Sequence, residues 1–418
     1  MPLSSSELAK PAPQLGSSQQ AILAALDANR PQIEALSQRI HAHPELAFHE
    51  HQASSWLCEA LAAHDFAITR PLGGLDTAFR ARYDFGQAAQ AENTQAENTK
   101  APTIALLAEY DALPDMGHAC GHNLICSAAV AAAIALRQTL RGTGGSLQVI
   151  GTPAEEGGGG KILLLEQGVF TDIDAALMFH PGARTMVFRG ALAATRMTMK
   201  FYGKAAHAAS SPHSGINALD ACIGTFNAIN ALRQQVKDET RIHGIISHGG
   251  SAPNIIPEYA EAKFIIRHRK ADYVQELRER VMACARGAAT AAGARVEFVE
   301  GLAYTERNVN PVMAERFGHY LELLGEEVKP PPEIGGVGSS DFGNLSQALP
   351  AIHPYIAMVP EGTSAHTPAF AAAAGSPKGM EVMHLASQAL ALTAADLLCD
   401  HAVLQQAQAA FQASLTQS

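Results

Sequence analysis

The stretch Thr103-Ile104-Ala105-Leu106-Leu107-Ala108, followed at once by Glu109-Tyr110-Asp111, is where the fold declares itself. An unbroken short apolar run of this kind reads as a buried strand, and the polar residues after it as the strand's end. Two more runs repeat the pattern: Leu147–Ile150 ahead of Thr152-Pro153-Ala154-Glu155-Glu156, and Ala175–Phe179 ahead of His180-Pro181-Gly182. Helical stretches over Ser127–Leu140 and Lys161–Gly168 separate them, the signature of parallel strands joined by crossover helices. In such sheets ligands gather beyond the carboxyl ends of the strands. The three polar endings are therefore candidates for one shared site.

Upstream, Ile22, Leu23, Leu26, Ile33, Leu36 and Ile40 recur at helical spacing from Gln19 to Ala42. Pro31 interrupts this stretch and can open a second helix, and His41-Ala42-His43-Pro44-Glu45-Leu46 ends it. From Gly86 to Lys100 the near repeat Ala91-Glu92-Asn93-Thr94 and Ala96-Glu97-Asn98-Thr99 is too polar for a core and reads as a solvated loop between two strands. Between Gly190 and Gly301 the pattern changes to strand (Ala193–Tyr202), helix (Asn217–Val236), strand (Ile242–His248), strand (Ala260–Arg267), helix (Ala271–Ala292) and strand (Ala294–Glu300). Two such halves predict an inserted α+β domain, an antiparallel sheet with two helices. Helices over Asn310–Leu324 and Glu381–Leu398 and an amphipathic tail to Leu415 follow. The expected architecture is α/β: a catalytic domain over 1–190 and 302–418, with a mixed, mainly parallel sheet flanked by helices, and the inserted domain over 191–301.

Composition narrows the partners. The chain has 418 residues, 47% hydrophobic and 17% charged, enough for two domains with sizeable cores and unlike a disordered chain. Forty acidic against 30 basic residues give a net charge of -10, with no basic stripe to neutralise phosphates, which argues against nucleic acid and anionic membrane. The run Ala128–Leu136 is too short to span a bilayer. Residues Met1–Ser18 lack the basic and apolar regions of a secretory signal. The 6 Cys lie scattered, without a disulfide framework, and the expected location is the cytoplasm. The 18 His are the conspicuous excess, many of them beside Gly, Pro or a carboxylate.

The strongest chemical signal is Gly117-His118-Ala119-Cys120-Gly121-His122-Asn123, a Gly-framed loop between a buried strand and a helix. A thiolate and an imidazole two residues apart can face one metal when the intervening Gly permits the turn. A fortuitous loop and a Cys/His nucleophilic pair are the alternatives. Glu155-Glu156 at the next strand end can divide labour, one on a metal and one holding a water as general base, or can be simply an acidic helix N-terminus. The Gly157–Gly160 run is no ordinary phosphate loop, since Lys161 is not followed by Ser or Thr. His180 and His366, in Thr363-Ser364-Ala365-His366-Thr367-Pro368, are each alone ordinary loop histidines. Taken together, Cys120, His122, Glu156, His180 and His366, with Glu155 as base, suit two divalent ions and hydrolysis.

In these motifs the chain resembles the aminoacylase and carboxypeptidase family of two-metal hydrolases, peptidase family M20, from His41 to about Ala395. Cys-Gly-His resembles its subfamily of aminobenzoyl-glutamate, hippurate and indole-acetyl-amino-acid hydrolases. Glu109-Tyr110-Asp111-Ala112-Leu113-Pro114, Gly117–Asn123, Gly151–Gly157, Ser340-Asp341-Phe342-Gly343-Asn344 and His353-Pro354-Tyr355 look most like the β-alanyl-lysine dipeptidase branch. The resemblance implies that Cys120 bridges two metals, that His122, Glu156, His180 and His366 are the other ligands, and that Glu155 is the base. Where many relatives have His-x-Asp, this chain has Glu109-Tyr110-Asp111, so Asp111 resembles an outer orienter of the ligand His122. His207, in Gly203-Lys204-Ala205-Ala206-His207-Ala208, resembles the histidine that steadies the oxyanion, in some members from the dimer partner. Asn254 and Arg267 resemble the pair that grips the substrate carboxylate. A surface His and a solvated Arg in the run Arg267-His268-Arg269-Lys270 are the plain alternatives. The implied enzyme is a homodimer or higher homo-oligomer carrying two divalent ions, Zn²⁺ or Mn²⁺. Its implied reaction is cleavage of an amide bond in an N-acyl-amino acid, aryl-amide or unusual dipeptide with a free carboxylate. A catalytically silent member that binds metal or ligand as a partner subunit is the alternative.

Overall fold

The computed structural model describes residues 14–86, 101–332 and 338–416. The stretch expected as a solvated loop, Gly86–Lys100, lies outside the described residues from position 87 onward, as do the first 13 positions. The chain divides into two compact units, one of Met1–Gly190, Asn308–Gly336 and Asn344–Ser418, the other of Ala191–Arg307 and Val337–Gly343.

The first unit is built on a six-stranded sheet. Its strands are β1 (Ala67–Thr69), β2 (Phe79–Asp84), β3 (Thr103–Ala108), β4 (Ser146–Gly151), β5 (Ala175–Leu177) and β11 (Ala351–Ile352), in the order β1-β2-β4-β3-β5-β11. The four strands from β4 to β11 pair in parallel, while β1 and β2 add an antiparallel edge. Every residue of β3, β4 and β5 is buried, as the unbroken apolar runs require. A separate two-stranded ladder joins β6 (His180–Gly182) to β12 (Tyr355–Ala357), so His180-Pro181-Gly182 is a strand of its own and not the loop expected.

Helices α1 (Ser17–Ala42), α2 (His51–Ala62), α3 (His122–Thr139), α4 (Gly160–Glu166), α7 (Pro311–Leu323), α9 (Pro368–Ala374), α10 (Pro377–Cys399) and α11 (His401–Leu415) complete this unit. Pro31 does not break α1, which runs through it. Pro31 and Asp27 both lie on the exposed side, where the Asp27 carbonyl that loses its N–H partner can face water. Helix α3 is buried continuously from His122 to Leu136 and packs on α1, α10, β3 and β4. It begins five residues before the expected Ser127, because Gly121 supplies the turn: φ is +80°, and a Cβ there would meet Pro181 Cγ at 2.5 Å. His122 is therefore the first residue of a rigid helix. Among the described residues only α10 is long and apolar enough to cross a membrane, and most of it is buried inside the protein.

The second unit is a four-stranded antiparallel sheet in the order β10-β7-β9-β8, where β7 is Ala193–Tyr202, β8 Arg241–His248, β9 Tyr259–His268 and β10 Arg295–Tyr304. Helices α5 (Ala218–Leu232) and α6 (Ala271–Ala292) pack on one another and on β7 and β9. Apolar residues alternate along β7 and β9 and close a core with both helices around Met199, Phe201, Phe264, Leu277 and Val281. The chain returns to the first unit at Asn308 rather than at 302, since after a bulge between Glu300 and Ala303 strand β10 continues to pair with β7. Strand β8 is an open edge, with seven of its eight residues exposed. A last short helix, α8 (Phe342–Ala348), starts where the chain leaves this unit for the second time.

Candidate metal centre

The carboxyl ends of β3 and β4, the N-terminus of α3, β6 and the turn before α9 bring the sequence-selected residues of the first unit together. One donor atom from each of Cys120, His122 and His180 lies within 4.8 Å of the other two, and the same is true of Cys120, Glu156 and His366, and of His122, Glu155 and Glu156. Cys120 thus belongs to two donor clusters, with His122 and His180 in one and Glu156 and His366 in the other. The Cys120 Sγ to His180 Nε2 distance is 3.4 Å, and His366 Nε2 stands 3.2 Å from Glu156 Oε1.

Hydrogen bonds fix which nitrogen each imidazole presents. His122 Nδ1 donates to the Asp111 carbonyl at 2.8 Å and to Asp111 Oδ1 at 3.0 Å, which directs Nε2 at the cluster. That Nε2 is fully buried and has no hydrogen-bond partner. His180 Nδ1 donates to the Pro181 carbonyl at 2.7 Å, leaving Nε2 toward Cys120. The other oxygen of Asp111 accepts the backbone N–H of Glu156 at 2.9 Å. Asp111 therefore sits behind two candidate ligands, and it aims them without facing the cluster itself. A buried imidazole nitrogen without a hydrogen bond, beside a thiol, two more imidazoles and a carboxylate, fits a site for soft to borderline divalent cations.

Electrostatics agree with this division of roles. Burial raises the Asp111 carboxyl, yet the His122 charge and hydrogen bond outweigh it and hold the pKa below the ordinary value. Burial likewise opposes protonation of His122, but Asp111 carries its pKa well above the usual histidine range. Glu156 is desolvated too, and His366 and His122 keep it ionised. The Cys120 thiol is pushed far up, by burial and then by the Glu156 charge. A thiol so raised is no activated nucleophile, which disfavours the Cys/His nucleophilic alternative. Burial and the neighbouring His122 and His41 push His118 down to about 3, so this loop histidine is neutral and apart from the donor set.

Several contacts around the site could not be read from the sequence. Lys161, in the first turn of α4, is fully buried, and its Nζ lies 2.5 Å from Glu109 Oε1. Glu109 Oε2 is 3.6 Å from His122 Nε2. A buried ammonium next to a Gly run looks like surface in sequence, and only the enclosing strand end makes it interior. Tyr355 stacks on His180 with centroids 4.9 Å apart, and the Arg189 guanidinium lies 4.0 Å over the same ring.

In the second unit His207 is exposed, and its Nδ1 accepts the N–H groups of Ala209 and Ser210 at 3.2 and 3.1 Å. Nε2 then carries the hydrogen and is a donor. The Ala208 N–H donates to the Asn254 carbonyl at 3.0 Å, so His207 and Asn254 are neighbours. Arg267 is half-buried on β9, with its pKa lowered by burial and by Arg196. Asn254 and Arg267, the residues that resemble the carboxylate grip, stand toward opposite ends of the β9 region. Asn254 precedes the start of β9 at Tyr259 and Arg267 is near its far end, roughly 25 Å along the strand at the usual rise per residue.

The Peptidase dimerisation domain of the M20 family matches residues 190–291. The chain is 39% identical over 405 residues to Xaa-Arg dipeptidase of Mus musculus, covering 93% of this chain and 91% of that protein. It is 31% identical over 459 residues to one of the p-aminobenzoyl-glutamate hydrolase subunits of Escherichia coli, covering 92% of each. Among solved structures, a dinuclear metal binding peptidase of Bacillus subtilis superposes with a TM-score of 0.67 at 21% identity, over 89% of this chain and 99% of the other.

Proposed function

The chain belongs to the M20 peptidase family, and from that premise we propose that it hydrolyses the amide bond of a dipeptide or N-acyl-amino acid with a free carboxylate. The observation that carries this reading is the position of Cys120 in two donor clusters at once, beside a buried His122 Nε2 that makes no hydrogen bond. Cys120, His122, Glu156, His180 and His366 would hold two divalent cations, Zn²⁺ or Mn²⁺ by the chemistry of the set. Such a pair supplies carbonyl polarisation and a water acidic enough to attack near neutral pH.

The residues of the chain do the rest. Glu155, with an oxygen within 4.8 Å of donors on both His122 and Glu156, takes the proton of the attacking water and returns it to the leaving amine nitrogen. Asp111 keeps His122 and the Glu156 backbone in register. His207, a donor at Nε2, steadies the charge that develops on the carbonyl oxygen. Asn254 and Arg267 grip the substrate carboxylate. Because Asn254 precedes β9 and Arg267 lies near its far end, that grip calls for two copies, which accords with the exposed edge of β8 and the dimerisation-domain match. The assembly we propose is a homodimer.

The experiment is a hydrolysis panel containing Xaa-Arg dipeptides, p-aminobenzoyl-glutamate and simple N-acyl-amino acids, run with metal and with chelator. Turnover that chelator removes and metal restores is expected. A metal-loaded protein that cleaves nothing on the panel would overturn the reading.

A further inference from the structure

Glu50 closes the stretch Pro44-Glu45-Leu46-Ala47-Phe48-His49-Glu50, whose only evident job in the sequence is to end a helix. Its side chain is wholly buried. Oε1 accepts the backbone N–H of Ala154 at 2.9 Å and that of Phe48 at 3.0 Å, and Oε2 accepts the Thr77 hydroxyl at 2.8 Å. Thr77 is itself fixed by its carbonyl, which accepts the Tyr110 hydroxyl at 2.6 Å. Both backbone donors belong to non-glycine residues in the left-handed region, Phe48 at φ +64° and Ala154 at φ +61°. Such conformations persist where the surroundings over-determine them.

Ala154 is the residue immediately before Glu155-Glu156. Phe48 braces the same turn from outside: a Cβ on Gly158 would come within 2.7 Å of the Phe48 ring and 2.6 Å of Ala154 Cβ, so the loop folds back tightly beneath that ring. Glu45 ties in the neighbouring strand end, since its carbonyl accepts the Ala112 N–H at 2.8 Å while its carboxylate caps Gln52 and Ala53 at the start of α2. One short segment therefore supports both loops that carry the carboxylates of the site.

We propose that Glu50 is a positioning residue: it holds the left-handed turn at Ala154 that presents Glu155 as base and Glu156 as ligand. This rests on the hydrolytic reading above. A carboxyl group suits the task because one oxygen can accept the two converging backbone N–H groups while the other accepts the hydroxyl. Glu50 itself touches none of the donor residues.

The test compares full-length wild type with Glu50→Ala and Glu50→Gln. kcat and KM are measured on a substrate the wild type cleaves, Zn²⁺ affinity by chelator competition, and Tm by calorimetry. Glu50→Ala lowers both kcat and Zn²⁺ affinity by about 10- to 100-fold with KM little changed, the usual scale for losing an outer partner of a metal site. Glu50→Gln keeps an acceptor oxygen and recovers most of both. A folded Glu50→Ala with wild-type kcat and Zn²⁺ affinity, or a Glu50→Gln as impaired as Glu50→Ala, overturns the proposal. Should Glu50→Ala fail to fold, Thr77→Val removes the Oε2 bond alone, and it must lower kcat and Zn²⁺ affinity together or the proposal is overturned. A wild type that binds Zn²⁺ and cleaves nothing defeats the hydrolytic reading, while the chelator arm still decides whether Glu50 sets the loop. A wild type that binds no Zn²⁺ overturns both.

Discussion

At the scale of the residue, the centre divides into groups that face the donor cluster and groups that aim them. Replacing Glu155 by Gln removes the proposed base and leaves Cys120, His122 and Glu156 in place. kcat should fall by about 100- to 10,000-fold, the contribution typical of a general base, with metal content by elemental analysis near wild type. Glu50 permits a second prediction, on stability. Burial, and then the Asp111 charge, raise its pKa from 4.5 to about 7. Below pH 4.5 both folded and unfolded chains hold this proton. Between 4.5 and 7 only the folded chain does, so stability drains away as pH rises and the loss is complete above 7. Glu50→Gln does not titrate, and should be more stable than wild type by on the order of 3 kcal/mol at pH 8 and by little at pH 4, read by urea unfolding at each pH. In the donor set, Cys120, His122, Glu156 and His180 were easy to single out because each stands beside Gly or Pro, whereas His366 lies two residues before Pro368 and was the weaker signal. Glu50 was not, since its partners are backbone N–H groups of Phe48 and Ala154 and a hydroxyl, which leave no pattern in residue identity.

At the scale of the element, the strands were readable and some junctions were not. Strands β3 and β4 follow from unbroken apolar runs, and β7 and α6 coincide with the segments expected from alternation and helical period. Pro31 within α1 and the early start of α3 at His122 were missed because solvent exposure of one carbonyl and the left-handed turn at Gly121 are tertiary facts. The buried pair Lys161–Glu109 ties the first turn of α4 to the end of β3. Removing one partner strands a buried charge, so Lys161→Met should cost about 3–5 kcal/mol. Lys161→Met combined with Glu109→Gln should regain much of that loss. Urea titrations of the two singles and the double make the cycle, and additive losses would contradict it.

At the scale of the whole molecule, the chain is a unit built on a six-stranded sheet, interrupted by a second unit whose edge strand β8 is open among the described residues. Asn254 precedes β9 and Arg267 lies near its far end, so the proposed carboxylate grip would draw on two copies. Mixing Glu155→Gln chains with His207→Ala chains under conditions of subunit exchange should then restore up to about a quarter of wild-type activity, since half of the mixed dimers' sites combine two intact halves. No restoration would place His207 in its own chain's site. Family and fold were accessible from motif order, whereas this separation depends on the length of β9 in space. The central claim is that Cys120, a member of both donor clusters, would help to hold two divalent cations. Its most direct measurement is a titration of metal-free protein with Co²⁺, followed in the near ultraviolet. The account predicts a thiolate-to-cobalt band that develops up to two equivalents per chain and disappears in Cys120→Ala. A band that survives Cys120→Ala, or binding that stops at one equivalent, would contradict it.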